Sequence, residues 1–298
     1  MSRPNSRVRL DRRQATAGIL LLAADPRGLL GAVHSRFEFS QPHMGTLFRM
    51  VLYARDADAA AQASIAAFGR IAQLDAVLSD YRESSELMSL CRQAGGPPVK
   101  VSEDLFRVLW PAQEWAARTN GAFDVTVGAL VQLWRRARRT REMPEAQRLA
   151  EALALTGYQK LHLDRKTRSA RLARRGMRLD LGGIAKGFAA DQAMAVLERQ
   201  GIRAALVAAG GDIVVSDPPP ALAGCVIAVA PLDASDPPPA RRLWLRRAAV
   251  STSGDAEQNV EIGGVRYSHI VDPRTGLGLV GRRSVTVVAP DEIGRAHV

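Results

Sequence analysis

The sequence predicts an α+β fold built as one unit. Apolar residues at helical spacing dominate the first part of the chain, and strand-like segments dominate the last. No internal repeat or linker divides its 298 residues, a length that buries one large core or two modest ones.

Taken in order, TLFRMVLYA (46–54) reads as a strand, and ASIAAFGRIAQLDAVLSDY (63–81) places Ile65, Phe68, Ala72 and Val77 in helical register. A Gly-Pro turn at 95–98 precedes a short strand and a helix around DLFRVLWPAQEWAART (104–119). Further helical stretches fall within TNGAFDVTVGALVQLW (119–134) and PEAQRLAEAL (144–153). LHLDRKTRSARLARRGMRLDL (161–181) alternates as a hairpin does and runs as a strand into a paired-glycine turn. The helix that follows extends to Gly201, a C-cap. Strands are predicted near 203–208, 223–229, 242–250 and 283–289, with two SDPPPA segments (216–221 and 235–240) as hairpin connections.

Apolar content of 47% and charged content of 24% are ordinary for a soluble globular chain. A net charge of +11 suits nucleic acid, an anionic membrane or a phosphate-rich ligand. Its runs, WRRARRTR (134–141) and RRLWLRR (241–247), read as solvated basic faces. Neither zinc-finger spacing nor an aromatic-rich RNA-binding signature accompanies them, so no nucleic-acid partner is expected. Cys91 and Cys225 make no disulfide framework and no metal spacing, and read as two buried thiols. In RLDRRQATAGILLLAADPRGLLGA (9–32), Arg12 and Arg13 precede an apolar run from Ala15 to Ala24 that is too short to span a membrane. This resembles an export signal of the twin-arginine kind. Residues 1–35 are therefore expected to be a leader, and the protein to work in the periplasm or on the inner membrane facing it.

Only four of the 41 basic residues are lysine: Lys100, Lys160, Lys166 and Lys186. A chain so rich in arginine keeps Lys186 where a compact point charge on a flexible stem is wanted. Lys186 stands in RLDLGGIAKGFAADQA (178–193), where paired glycines let backbone approach a ligand and a helix start offers N–H groups. That is a setting for phosphate, although neither the Walker spacing nor the dinucleotide G-x-G-x-x-G is present. Asp180 adds a carboxylate for a ribose, a base edge or a metal-bound water. The alternative is a solvated lysine in an ordinary first turn. TNGAFDVTVGAL (119–130) brings Phe123 and Asp124 after an Asn-Gly turn, with a plain N-cap as the other reading of Asp124. VSTSGDAEQNVEIGGVRYSHIVDPRTGLG (250–278) reads as a Ser/Thr/Gly turn, a hairpin, then His269 and Asp272 before a Pro-Arg-Thr-Gly turn. His269 is a general base or a buried, satisfied histidine.

In combination these segments resemble one family, the ApbE-type flavin transferases, which move FMN from FAD onto a protein. The likeness runs from about residue 40 to 290. It includes HMGTLFRMVL (43–52), LSDYRESSELMSL (78–90), TNGAFDVTVGALVQLW, LDLGGIAKGFAADQA, AALVAAGGDI (204–213), STSGD and YSHIVDPRTG, all in order. The resemblance implies a single compact α+β domain over 40–290, with largely antiparallel sheet and flanking helices. It implies that Met44, Tyr81, Ala122, Phe123, Asp124, Asp180 and Lys186 contact FAD, and that His269 and Ile270 lie over the same ligand. It further implies Mg2+ bound partly through a backbone carbonyl of the glycine turn, placed at Gly183. In the implied reaction a threonine hydroxyl of a target protein attacks the FMN phosphorus and AMP leaves, while magnesium neutralises the pyrophosphate. His269 would be the base, and Asp272 would orient it or shape the turn. Implied partners are flavoproteins of membrane electron-transfer complexes that bear an acceptor threonine. The alternatives are a magnesium-dependent FAD pyrophosphatase giving FMN and AMP, and a non-catalytic flavin-binding protein. The family completes its metal site with an Ala-Asp, and a threonine four residues beyond that Asp, downstream of the strand matching SVTVVA (284–289). DEIGRAHV (291–298) does not follow that pattern and reads as a foreign or truncated tail, so His297 is given no role.

Overall fold

The structure, a computed structural model, describes residues 34–229, 241–254 and 258–291. The leader up to residue 33, the second SDPPPA segment and the tail from 292 lie outside the described residues.

Strands β1 (Ser35–His43) and β2 (Thr46–Ala54) form a hairpin whose turn residues, Met44 and Gly45, have φ of 49° and 71°. This is the mirror-image turn that matches strand twist. β1 begins ahead of the expected domain edge at 40 and had no sequence signal of its own. Helix α1 (Ala57–Leu78) starts earlier than its apolar register suggested. Asp56 caps it, accepting from the Ala59 amide at 2.7 Å, and the alanine-rich segment after it has high helix propensity. α1 stops at Leu78 because Ser79 is extended, so Asp80 and Tyr81 leave the helix and enter a loop. There follow α2 (Glu86–Arg92), β3 (Val99–Lys100), α3 (Glu103–Arg118), a 3-10 turn (Val125–Val127), α4 (Gly128–Thr140) and α5 (Ala146–Leu155). Next come β4 (Leu161–Asp164), β5 (Ser169–Leu172), α6 (Ala185–Arg199), β6 (Ala204–Ala209), β7 (Asp212–Val215) and β8 (Cys225–Val229). The described chain closes with β9 (Arg241–Leu245), β10 (Ala248–Gly254), β11 (Asn259–Ile262), β12 (Val265–Val271), β13 (Gly278–Val280) and β14 (Ser284–Ala289).

Six strands in the order β1-β2-β6-β7-β10-β14 make one antiparallel sheet. Alternation along its strands builds two cores. Phe48, Met50, Leu52 and Val207 face α1 and α6, where they meet Ile71, Phe188 and Leu197. Val51, Leu206, Ile213 and Val250 face the other way and are covered by the β8–β9 hairpin through Ile227. A third cluster, with Leu130, Trp134, Val260 and Val271, joins α4 and α5 to the small sheet β11-β12-β13. The expected α+β class and largely antiparallel sheet are those observed. Cys91 and Cys225 are both free and buried.

Local readings fail where the chain changes sheet. The hairpin read over 161–181 ends at Leu172, and 178–181 is not a strand. That segment lies beside the 3-10 turn, the Asp180 amide donating to the Val125 carbonyl and the Gly128 amide to the Arg178 carbonyl. The strand read over 242–250 is two strands in different sheets, broken where Arg247 takes φ 44°. STSG belongs to β10, not to a turn. The first SDPPPA segment carries the chain from the large sheet to the β8–β9 pair and is no hairpin connection. β7, which the sequence reading passed over, follows a two-glycine turn in which Gly210 has φ 65°.

Candidate functional site

The turns at one end of the large sheet meet in a closed circuit. A Cβ added at Gly45 would stand 3.5 Å from the Tyr81 ring, so the β1–β2 turn lies against the loop after α1. The Tyr81 ring carries the Arg135 guanidinium at 4.1 Å from its centre, and Arg135 Nη2 reaches Asp180 Oδ2 at 3.0 Å. Asp180 opens the glycine turn, accepting from the Gly182 amide at 2.8 Å, and the turn runs into α6 and Lys186. Lys186 Nζ stands 3.2 Å from Asp212 Oδ2, and Gly210 returns the circuit to Thr46, whose hydroxyl is 3.3 Å from a Cβ built there.

Lys186 is not a solvated first-turn lysine. Its side chain is 27% exposed and its partner Asp212 only 4%. Ser251 Oγ on β10 donates to the other Asp212 oxygen at 2.5 Å, so a buried carboxylate holds the ammonium beside the glycine turn. Ile184, at the N-cap of α6, supplies no side-chain acceptor, which leaves the capping role at this end to an anion or solvent.

Burial and the neighbouring Asp80 carboxylate push the Asp180 pKa up to about 6 from 3.8, against the pull of Arg135. A carboxyl whose folded pKa exceeds its unfolded value takes up a proton on folding. Its cost is therefore absent below about pH 4 and grows as pH rises towards about 6. Asp180→Asn is expected to gain about 2 to 3 kcal/mol of stability relative to the wild type between pH 4 and pH 7. Thermal unfolding of both proteins across that range checks the sign and the window.

The remaining predicted residues divide. Ala122 is exposed, whereas Phe123 is buried in the main core. The Asp124 carboxylate turns inward, accepting from the Thr126 amide at 2.8 Å and the Thr126 hydroxyl at 2.7 Å, which is the N-cap reading. Burial raises its pKa. His269 on β12 is half-buried, and its Nδ1 lies 3.1 Å from the Gln258 carbonyl. A carbonyl only accepts, so Nδ1 carries the proton and the neutral ring has its lone pair on Nε2. Ile270 follows it on the strand, half-buried. Arg138, one turn along α4 from Arg135, bonds Gln258 Oε1 at 3.0 Å and so links the His269 segment to α4, whose Arg135 holds Asp180. Asp272 shapes its turn, accepting from the Arg274 amide at 2.9 Å, and Arg274 in turn reaches the Asn120 carbonyl at 3.3 Å.

Sequence reasoning missed Asp80, Arg135, Asp212 and Ser251 as individual residues. Asp80 and Asp212 had only position as a signal, one beside Tyr81 and the other directly after paired glycines. Around the half-exposed Gly183 the donor set does not by itself fit magnesium. Among the described residues no group of three or more His, Cys, Asp or Glu side chains is placed to hold a metal. Asp180, three residues before Gly183, is engaged by Arg135 and Gly182.

A lysine anchored at the start of α6, a glycine turn beside it and a histidine on the neighbouring small sheet make an α+β protein whose site suits an anionic ligand. The chain belongs to the ApbE family, whose model matches residues 44–296. It is 34% identical over 270 residues to the FAD:protein FMN transferase of Treponema pallidum (strain Nichols), covering 85% of this chain and 75% of that one. It is 32% identical over 258 residues to one from Klebsiella pneumoniae (strain 342), covering 86% and 78%. Among solved structures, the ApbE protein of Thermotoga maritima superposes with a TM-score of 0.79 at 31% identity, covering 87% of this chain and 84% of that one. The flavin transferase ApbE from Vibrio cholerae also gives 0.79, at 28% identity and coverages of 88% and 85%.

Proposed function

We propose that this chain is an FAD:protein FMN transferase, moving FMN from FAD onto a protein side chain. The observation that carries the reading is the Lys186–Asp212 pair beside the glycine turn of an ApbE-family chain. A cation anchored by a buried carboxylate is fixed before the ligand arrives, so it can meet a pyrophosphate without first being ordered.

The fuller form of the proposal names a threonine hydroxyl as acceptor and AMP as leaving group. The threonine oxygen bonds to the FMN phosphorus, the bond from that phosphorus to the AMP oxygen breaks, and the hydroxyl proton passes to His269 Nε2. Met44, Tyr81, Ala122, Asp180 and Lys186 surround the nucleotide, and Ile270 lies over it. Phe123 and Asp124 support that site from beneath, by core packing and by capping. Asp272 acts through the shape of its turn. Magnesium dependence, with Gly183 as a carbonyl ligand, rests on the resemblance, as do the flavoprotein targets of membrane electron-transfer complexes. Export to the periplasm rests on residues 9–32; fractionation of cells expressing the full chain and an Arg12→Lys, Arg13→Lys variant tests it.

The deciding experiment mixes the purified chain with FAD, magnesium chloride and a threonine-bearing acceptor domain, read by mass spectrometry. An FMN-sized gain on the acceptor supports the transfer, and its loss with EDTA supports the magnesium dependence separately. AMP and free FMN without that gain would replace it with a pyrophosphatase, and bound but intact FAD with a flavin-binding protein. His269→Asn is expected to slow transfer by roughly 10²- to 10⁴-fold while FAD affinity changes little. An unchanged rate would remove His269 from the chemistry.

A further inference from the structure

Arg135 belongs to WRRARRTR, whose composition reads as a solvated face, yet its side chain is only 19% exposed. Nη1 lies 2.5 Å from Asp80 Oδ2, Nη2 lies 3.0 Å from Asp180 Oδ2, and the guanidinium sits 4.1 Å from the centre of the Tyr81 ring. A flat fork that serves two carboxylates while its face lies on an aromatic ring uses each property that separates arginine from lysine. The two loops it joins come from distant parts of the chain: one follows α1, the other enters α6. Tyr81 is still 65% exposed, so Arg135 backs one side of the ring and leaves the rest open.

We propose that Arg135 is a positioning residue for the flavin nucleotide, holding the Tyr81 ring as a stacking platform and the Asp180 carboxylate at the head of the glycine turn. The inference rests on the transferase reading above. One guanidinium thereby fixes the aromatic-binding and phosphate-binding ends of the site relative to each other before FAD enters. Without it Asp80 and Asp180 face each other as an unbalanced carboxylate pair, and both loops lose their common anchor.

The test uses the full chain as wild type, Arg135→Met, Arg135→Lys and the double variant Arg135→Met with Asp80→Asn. FAD affinity is read from flavin fluorescence, transfer kinetics give KM and kcat separately, and thermal unfolding reports the fold. Arg135→Met is expected to weaken FAD binding and raise KM by roughly ten- to hundredfold, with kcat at saturating FAD within about threefold of wild type. Arg135→Lys recovers part of this, because an ammonium serves one carboxylate and stacks poorly. The double variant recovers stability more than affinity, because it relieves the carboxylate repulsion without restoring the backing of Tyr81. Equal FAD affinity in Arg135→Met and wild type would overturn the inference alone. If Arg135→Met does not fold, Arg135→Lys decides: wild-type affinity and KM there also overturn it. A wild-type chain that fails to bind FAD overturns the transferase reading, and this inference with it.

Discussion

Lys186→Met is expected to lower kcat/KM for FMN transfer by roughly 10²- to 10³-fold, the usual loss when one preorganised group that meets developing charge is removed. The ammonium is held at 3.2 Å by a carboxylate that is itself only 4% exposed, so its position is set by the fold rather than found on binding. Methionine keeps most of the stem and removes the charge. It also leaves Asp212 with Ser251 but without its cation, which costs roughly 1 to 3 kcal/mol. The two effects separate in the double variant with Asp212→Asn. Stability should return, because an amide no longer needs the ammonium, while transfer stays low. Transfer that recovers along with stability would show that Lys186 acts only through the fold.

Gly211→Ala is expected to destabilise the protein by roughly 2 to 3 kcal/mol and to depress transfer with it. A Cβ at Gly211 would stand 2.5 Å from the Thr252 carbonyl oxygen, and that oxygen is backbone, unable to swing aside. The Thr252 amide donates to the Gly211 carbonyl at 2.9 Å, so β10 is pinned against this turn. Relief requires β7 and β10 to part at the residues that hold Asp212 and Ser251, which links a packing fault to the site. Gly69 is the matched control, since it lies inside α1 with nothing within 4 Å of its Cβ. Alanine there should stabilise by about 0.5 to 1 kcal/mol. Chemical denaturation of both variants gives the comparison, and a Gly211→Ala chain as stable as wild type would mean the strands yield without cost.

What could be read from the sequence was local. The end of α6 was legible because Gly201, at φ 83°, is the left-handed residue directly after the C-cap Gln200, and that chemistry sits within a few residues. β2 and α3 were legible as local segments, and α1 in part through its helical register, because the cap at Asp56 lay outside the window that showed it. Lys186 stood out by rarity in an arginine-rich chain. The order of seven segments pointed to the ApbE family, to which the chain belongs. β1 and β7 were not legible, since pairing partners decide them: β1 has only β2 to define it, and β7 lies between β6 and β10.

By itself the sequence determined the fold class, the family and the chemical type of the groups at the site. Those depend on residue identity and short-range pattern, and both survive in one dimension. The tertiary structure decided which charges act. WRRARRTR offers several arginines, and only the phase of α4 against two distant loops selects Arg135 to bridge Asp80 and Asp180. Asp124, open in the sequence to both an N-cap and a ligand contact, takes the cap, with Thr126 bonding its carboxylate two residues away. Asp212, one acid among many, became the anchor of Lys186 because three elements, α6, β7 and β10, converge on it. A buried ion pair depends on distance and desolvation, and neither quantity exists until the chain has folded.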